Sequence, residues 1–258
     1  MAICEMHLSS GTALQKMTAF TAIVPEHVPG PWATLLLLHG LSDDHTAWAR
    51  RTSLERYLEG LPLLVVMPNG ERGWYTDSVG SPAQAFETYL TRDLIGFVDG
   101  AFHTRPERSS RMTAGLSMGG YGALKLALGH PDLFCAAVSH SGAVEIGARS
   151  WEEDNARQQE LRAIFGAHPQ GGDNDLYALA QRADAPARPA LRIDCGVDDF
   201  LIEDNRRFHA HLERIGYPHE YAEHAGAHDW AYWDIHIQDT LAFAARILGL
   251  RKPGTKEH

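Results

Sequence analysis

The hexapeptide Gly115-Leu116-Ser117-Met118-Gly119-Gly120 constrains this chain more than any other stretch of it. It has the form G-x-S-x-G, in which a serine sits on a sharp strand-to-helix turn with its hydroxyl lifted clear of a sheet. The glycines are a steric requirement, because a side chain at Gly115 or Gly119 would collide across so tight a bend. Five loosely specified positions recur by chance, so the flanks decide the reading. Arg111-Met112-Thr113-Ala114 reads as a short buried strand and Tyr121 to Leu128 as an Ala/Leu-rich helix, which supplies the order strand, turn, helix. The competing reading, a glycine-rich helix start whose serine only caps, is disfavoured by that context.

A serine hydroxyl needs a base to become a nucleophile, and the base needs a carboxylate to orient it. In a sheet enzyme of this kind the acid and then the base follow the serine along the chain, each after a later strand. Leu191-Arg192-Ile193-Asp194-Cys195-Gly196 reads as a strand ending in glycine, followed by Val197-Asp198-Asp199-Phe200-Leu201. A carboxylate just past the carboxyl end of a parallel strand is where such sheets place their site residues. Asp199 is favoured there, with Asp198 in reserve; the bland reading has both capping the helix that begins near Glu203.

The base is sought in His219 to Trp230. His228 lies in a Gly-Ala-His-Asp loop between a last strand, Glu220 to His224, and a final helix, so it is preferred to His224. A zinc motif in the same stretch fails on spacing, since His219 and His224 are five residues apart whereas H-E-x-x-H sets its histidines at i and i+4 on one helical face. No metal ligand is assigned. Upstream, Thr34-Leu35-Leu36-Leu37-Leu38 is a continuous apolar run, as in a strand buried on both faces, and it ends in His39-Gly40-Leu41-Ser42. The N–H groups of Leu41 and Met118 are the expected donors to an oxyanion. Trp74 and Tyr75, in a loop after another strand, are candidates for the acyl pocket or for its scaffold.

These segments, together with Trp48 and Arg51 to Tyr57, Val66-Met67-Pro68-Asn69, and Gly73-Trp74-Tyr75-Thr76-Asp77, resemble the esterase D-like putative esterase family of α/β-hydrolases. The resemblance runs along nearly the whole chain and is closest to bacterial tributyrin-type short-chain esterases, more distantly to S-formylglutathione hydrolases. It implies a nucleophile at Ser117, an acid at Asp199 in preference to Asp198, a base at His228, and oxyanion donors at Leu41 and Met118. It implies no cofactor. From about Ala143 to Ala185 the match is weakest.

Composition agrees. With 258 residues and 44% hydrophobic content, residues 1–258 can form a single α/β domain with a full core. The formal charge of -10, with no basic cluster beyond Arg251-Lys252, argues against nucleic acid or an anionic membrane as partner. No apolar run is long enough for a membrane span, and the amino terminus lacks the charged and apolar regions of a signal peptide. Cys4, Cys135 and Cys195 cannot all pair within one chain. A cytoplasmic protein with reduced cysteines is therefore expected. The oligomeric state is left open, a homo-oligomer included.

Strands are expected near 2–8, 17–24, 34–38, 63–67, 111–115, 135–140, 190–195 and 219–224, with helices near 87–102, 119–129, 203–215 and 230–248. The alternation implies a mostly parallel sheet with helices on both faces. The 143–185 stretch, with Trp151, Phe165 and Tyr177, is long for a connector and is expected to form a small cap insertion over the site. The leading functional expectation is a short-chain carboxylesterase acting on a small-molecule ester through an acyl-enzyme. A thioesterase of the S-formylglutathione hydrolase type is the alternative. A catalytically silent binding protein is the third reading, disfavoured because all three residues of the triad are present.

Overall fold

The computed structural model describes residues 1–81 and 84–251, so Lys252 of the basic tail lies outside the described residues. The strands are β1 (Ala2–Ser10), β2 (Lys16–Val24), β3 (Ala33–Leu38), β4 (Leu63–Pro68), β5 (Arg111–Leu116), β6 (Ala136–His140), β7 (Ala190–Gly196) and β8 (His219–His224). They form one sheet in the order β1-β2-β4-β3-β5-β6-β7-β8. β1 and β2 are antiparallel to their neighbours, and every pairing from β4 to β8 is parallel. The helices are α1 (Ala47–Arg51), α2 (Leu54–Tyr57), α3 (Phe86–Thr88), α4 (Ile95–Ala101), α5 (Met118–Gly129), α6 (Ala156–Phe165), α7 (Leu176–Arg182), α8 (Ile202–Arg214) and α9 (Trp230–Ile247). This is the α/β-hydrolase fold.

The leucine run of β3 explains why helices are needed on both sides. Successive side chains on a strand point to opposite faces. Leu36 and Leu38 accordingly join Leu64, Val66, Leu124 of α5 and Phe208 of α8 in one buried cluster. Leu35 and Leu37 join Leu63, Val65, Trp48, Leu54 and α9 residues Ile237 and Leu241 in the other. A strand covered twice has no solvent face to mark with polar residues, hence the unbroken apolar sequence.

α5 is buried nearly all round, including Lys125. The Lys125 ammonium meets the carboxylate of Glu87 in α3, which also bonds His130 Nε2 at 2.9 Å. Burial pushes the Glu87 carboxyl upward, but its bonds to His130 and Lys125 outweigh that and hold it down at about 2. Glu87→Gln should therefore strand a buried ammonium and destabilise the protein by roughly 3–5 kcal/mol, read as a lower denaturant midpoint. A depressed carboxyl contributes fully above its unfolded value of 4.5. That contribution is lost as pH falls toward about 2.

The helix expected over 87–102 is divided. α3 passes into a π-helical turn, Tyr89–Leu94, before α4. There Thr91 Oγ1 donates to the Glu87 carbonyl at 2.8 Å, competing with the regular backbone ladder. The 143–185 stretch holds a 3-10 turn (Ile146–Ala148), α6 and α7. Its Trp151, Leu161, Ile164, Phe165 and Leu176 belong to the same cluster as α5 and form no core of their own. It is tied to the loop after β4: Val79 N–H donates to Ile164 O at 3.1 Å and Gly80 N–H to Ala163 O at 2.7 Å. Among the described residues no helix is long and apolar enough to cross a membrane.

Candidate active site

β5 runs into α5 through Ser117, whose backbone is at φ 53°, ψ −114°. This region is costly for any residue with a Cβ and persists only where neighbours over-determine it. Here the Ser117 N–H donates to His140 O at 2.9 Å, and Ser117 O accepts from the N–H groups of Tyr121 and Ala143, each at 3.1 Å. The flanking glycines do what the turn demands. A Cβ on Gly115 would lie 2.4 Å from Gly119 O, and one on Gly119 2.4 Å from Leu38 O, so neither position accepts a side chain without moving backbone.

Two further strand ends bring the partners. After β7 the chain turns so that Asp199 N–H donates to Gly196 O at 3.1 Å, while Asp198 N–H donates to Gly226 O at 3.0 Å. After β8, Gly226 at φ +139° reverses the chain, and Asp229 caps α9 by accepting from Tyr232 N–H at 3.0 Å. His228 is held between these two features. Its Nδ1 is 2.8 Å from Asp199 Oδ2 and its Nε2 is 3.0 Å from Ser117 Oγ. Asp199 is buried, and its other oxygen accepts from Leu201 N–H at 2.8 Å. Burial alone would raise its pKa; the bonds from His228 and the Leu201 N–H outweigh it and hold the carboxyl below the usual range. An ionised carboxylate only accepts hydrogen bonds, so the proton of neutral His228 sits on Nδ1 and Nε2 faces the serine hydroxyl as acceptor.

The structure separates the competing candidates. Asp198 is exposed, and the carboxylate that bonds the imidazole is that of Asp199. His224 is not joined to Ser117; its ring stacks on His236 at 4.1 Å and 18°. With Asp239 these two histidines have the donor types of a metal site, ligand atoms lying within 4.8 Å of one another. Near-parallel rings do not aim their in-plane lone pairs at one point, and Asp239 is already shared between His236 at 2.9 Å and Arg192 at 3.5 Å.

The loop after β3 carries Leu41. Its buried neighbour His39 bonds Gly40 O through Nδ1 at 2.8 Å and accepts Gly70 N–H at Nε2 at 2.9 Å. Burial lowers the His39 pKa, which suits a neutral ring wedged as a prop. The backbone N–H of Met118 opens α5 and so has no partner within the helix. Among the described residues, neither it nor the Leu41 N–H donates to another backbone carbonyl.

A cavity of about 130 Å³ opens beside Ser117, walled by Leu41, Trp74, Ala143, Ile146, Phe200 and Leu201. Trp74 stands in it, held edge-on by Tyr121 and Phe165 at 6.0 Å each. Tyr75, expected at the pocket or behind it, is behind it: it is fully buried, outside the cavity wall, and donates its hydroxyl to His39 O at 2.8 Å. Phe200 and Trp233 flank the His228 ring at 4.5 and 5.0 Å, and Trp233 Nε1 donates to Ser141 Oγ at 3.3 Å. Neither the two ring contacts nor the walls from Ala143 and Ile146 were legible in sequence, although Phe200 directly follows Asp199 and the adjacency was a usable signal.

A mostly parallel sheet with a serine on its strand-to-helix elbow, bonded in series to an imidazole and a carboxylate, is the arrangement of the serine hydrolases of the α/β-hydrolase fold. The Putative esterase family model matches residues 11–244, and the chain belongs to that family. It is 27% identical over 266 residues to the acetyl esterase of Caldicellulosiruptor saccharolyticus, covering 96% of this chain and 99% of that one. Among solved structures it is similar to the substrate-bound fluorophosphonate-binding serine hydrolase FphF of Staphylococcus aureus, with a TM-score of 0.84, 32% identity, and coverage of 94% and 98%. The S-formylglutathione hydrolase FrmB of Staphylococcus aureus, as apoenzyme, aligns at a TM-score of 0.82 with 33% identity over 94% and 98% of the two chains.

Proposed function

We propose that this protein is a carboxylesterase for short acyl esters, with Ser117 as nucleophile, His228 as base and Asp199 as the group that orients it. The observation that carries the reading is the hydrogen-bonded series from Ser117 Oγ through His228 to Asp199, at 3.0 and 2.8 Å, beside a cavity of about 130 Å³. Ser117 Oγ attacks the acyl carbon as its proton passes to His228 Nε2. Asp199 stabilises the imidazolium that results. The N–H groups of Leu41 and Met118 donate to the oxyanion, a donor of this kind being worth a factor of about 10²–10³ in turnover. Collapse expels the alcohol, which leaves with the proton from His228. Water, activated by the same nitrogen, then frees the acid and restores the serine.

Trp74 is a wall of the acyl pocket in this reading, and the 143–185 stretch is its roof through Ala143 and Ile146. The apolar end of that space, beside Leu41, Trp74, Ala143 and Ile146, suits an acyl group of two to four carbons. Each further methylene forgoes the roughly 0.8 kcal/mol that its burial would contribute. kcat/KM against acyl length on one leaving group should fall beyond four carbons, and a maximum at eight or more would overturn the proposal. The likeness to an S-formylglutathione hydrolase makes a thioester of the same acyl group, and a feruloyl ester, the informative companions in that panel. Three free cysteines suit a reducing compartment such as the cytoplasm.

A further inference from the structure

The rim of the same cavity is charged. Arg149, Arg157 and Asp204 complete its lining beyond the apolar walls. Two of these are taken up in a closed ring of four side chains. Arg149 NH2 bonds Glu145 at 3.1 Å and Asp204 at 2.8 Å. Arg207 bonds the same two carboxylates, each at 2.6 Å. Two guanidiniums and two carboxylates cancel, and Asp204 is held by cations from both sides.

Arg157 is left over. It is exposed at the start of α6 and, among the described residues, enters no ion pair. The acidic side chain one turn on, Glu160, feels its charge but is engaged by Arg72 in a two-pronged pair at 2.6 and 2.7 Å. A guanidinium outside any described ion pair at the mouth of a reactive cavity, in a chain whose formal charge is -10, is not part of a general positive field. Its fork of N–H donors matches the two oxygens of a carboxylate or the oxygens of a phosphate.

We infer that Arg157 forms an anion subsite for the leaving group, so that the preferred substrates are short acyl esters or thioesters whose alcohol or thiol part carries a carboxylate or phosphate. This rests on the esterase reading above. The acyl group is confined to the small apolar end beside Leu41, Trp74, Ala143 and Ile146, and the departing half faces the charged rim. Arg157 touches neither the reacting carbonyl nor His228, so it contributes to specificity and leaves the chemical step to Ser117.

The test compares 4-acetoxybenzoate and 4-acetoxyphenyl phosphate with neutral 4-acetoxybenzamide, using the full chain and its Arg157→Gln and Arg157→Lys variants. Dividing the wild-type preference by that of the variant cancels the intrinsic reactivity of each leaving group. Arg157→Gln should lose roughly three- to fivefold in kcat/KM on an anionic ester, mainly through KM, as for one ion pair at an exposed site. The benzamide should change less than about twofold, Arg157→Lys should recover part of the loss, and the preference should weaken as salt rises. Sensitivity to either anion supports the subsite and tells carboxylate from phosphate. Equal effects of Arg157→Gln on charged and neutral esters, or none, overturn it while leaving the esterase intact. If wild type hydrolyses none of the three above the Ser117→Ala background, the esterase reading fails, and the subsite with it.

Discussion

Ser117→Ala is expected to lower turnover by on the order of 10⁴–10⁶ while the protein stays folded. The substitution removes one oxygen and the 3.0 Å bond to His228 Nε2. It leaves the elbow in place, because the bonds that hold it are backbone ones, from Ser117 N–H to His140 O and from Tyr121 and Ala143 N–H to Ser117 O. Alanine keeps the Cβ that the strained φ of 53° already tolerates. A fluorophosphonate should label the wild-type protein once, at this residue, and the variant not at all. Labelling at another serine, or full activity in a well-folded variant, would refute the assignment.

Asp199→Asn should cost roughly 10⁴ in turnover, and Asp198→Asn far less. Asp199 is buried with one oxygen on His228 Nδ1 and the other on Leu201 N–H. An asparagine there keeps its carbonyl on the Leu201 N–H and turns its NH₂ toward the imidazole. That selects the tautomer whose proton sits on Nε2, where it blocks proton transfer from Ser117. Asp198 is exposed, and among the described residues its bond to the site region is through its backbone N–H to Gly226 O, which asparagine retains. The measurement is kcat for both variants on one acetyl ester; the reverse ranking would move the acid by one position. Because the Asp199 carboxyl is held below its usual range by His228 and the Leu201 N–H against the effect of burial, it stays ionised across the neutral range.

Much of this is legible in the sequence. The elbow glycines, the double-sided leucine run of β3 and the strand ends at Gly196 and His224 depend on sterics and periodicity within a few residues. Such constraints leave their mark locally, so the strands, α5, α8 and α9 lie within a residue or two of where sequence puts them. The choice between Asp198 and Asp199 was a different matter: spacing and the resemblance favoured Asp199, and it is the Asp199 carboxylate that lies 2.8 Å from His228 Nδ1.

Tertiary structure alone decided the rest. Tyr75 follows Trp74 directly, yet Trp74 walls the cavity while Tyr75 is buried against His39, a difference set by a turn in which both residues have positive φ, 52° and 55°. The rings that flank His228 and the cancelling ring of Glu145, Arg149, Asp204 and Arg207 join residues from separate elements. Ser117 and His228 meet across 111 positions of sequence. Sequence determined the fold, the elbow and the chain order of Ser117, Asp199 and His228, because each is written in short-range backbone sterics or in alternation along one strand. It did not determine the pocket walls or which arginine remains unpaired, because those follow from sheet register and loop packing, where the partner of each side chain is chosen by distant residues.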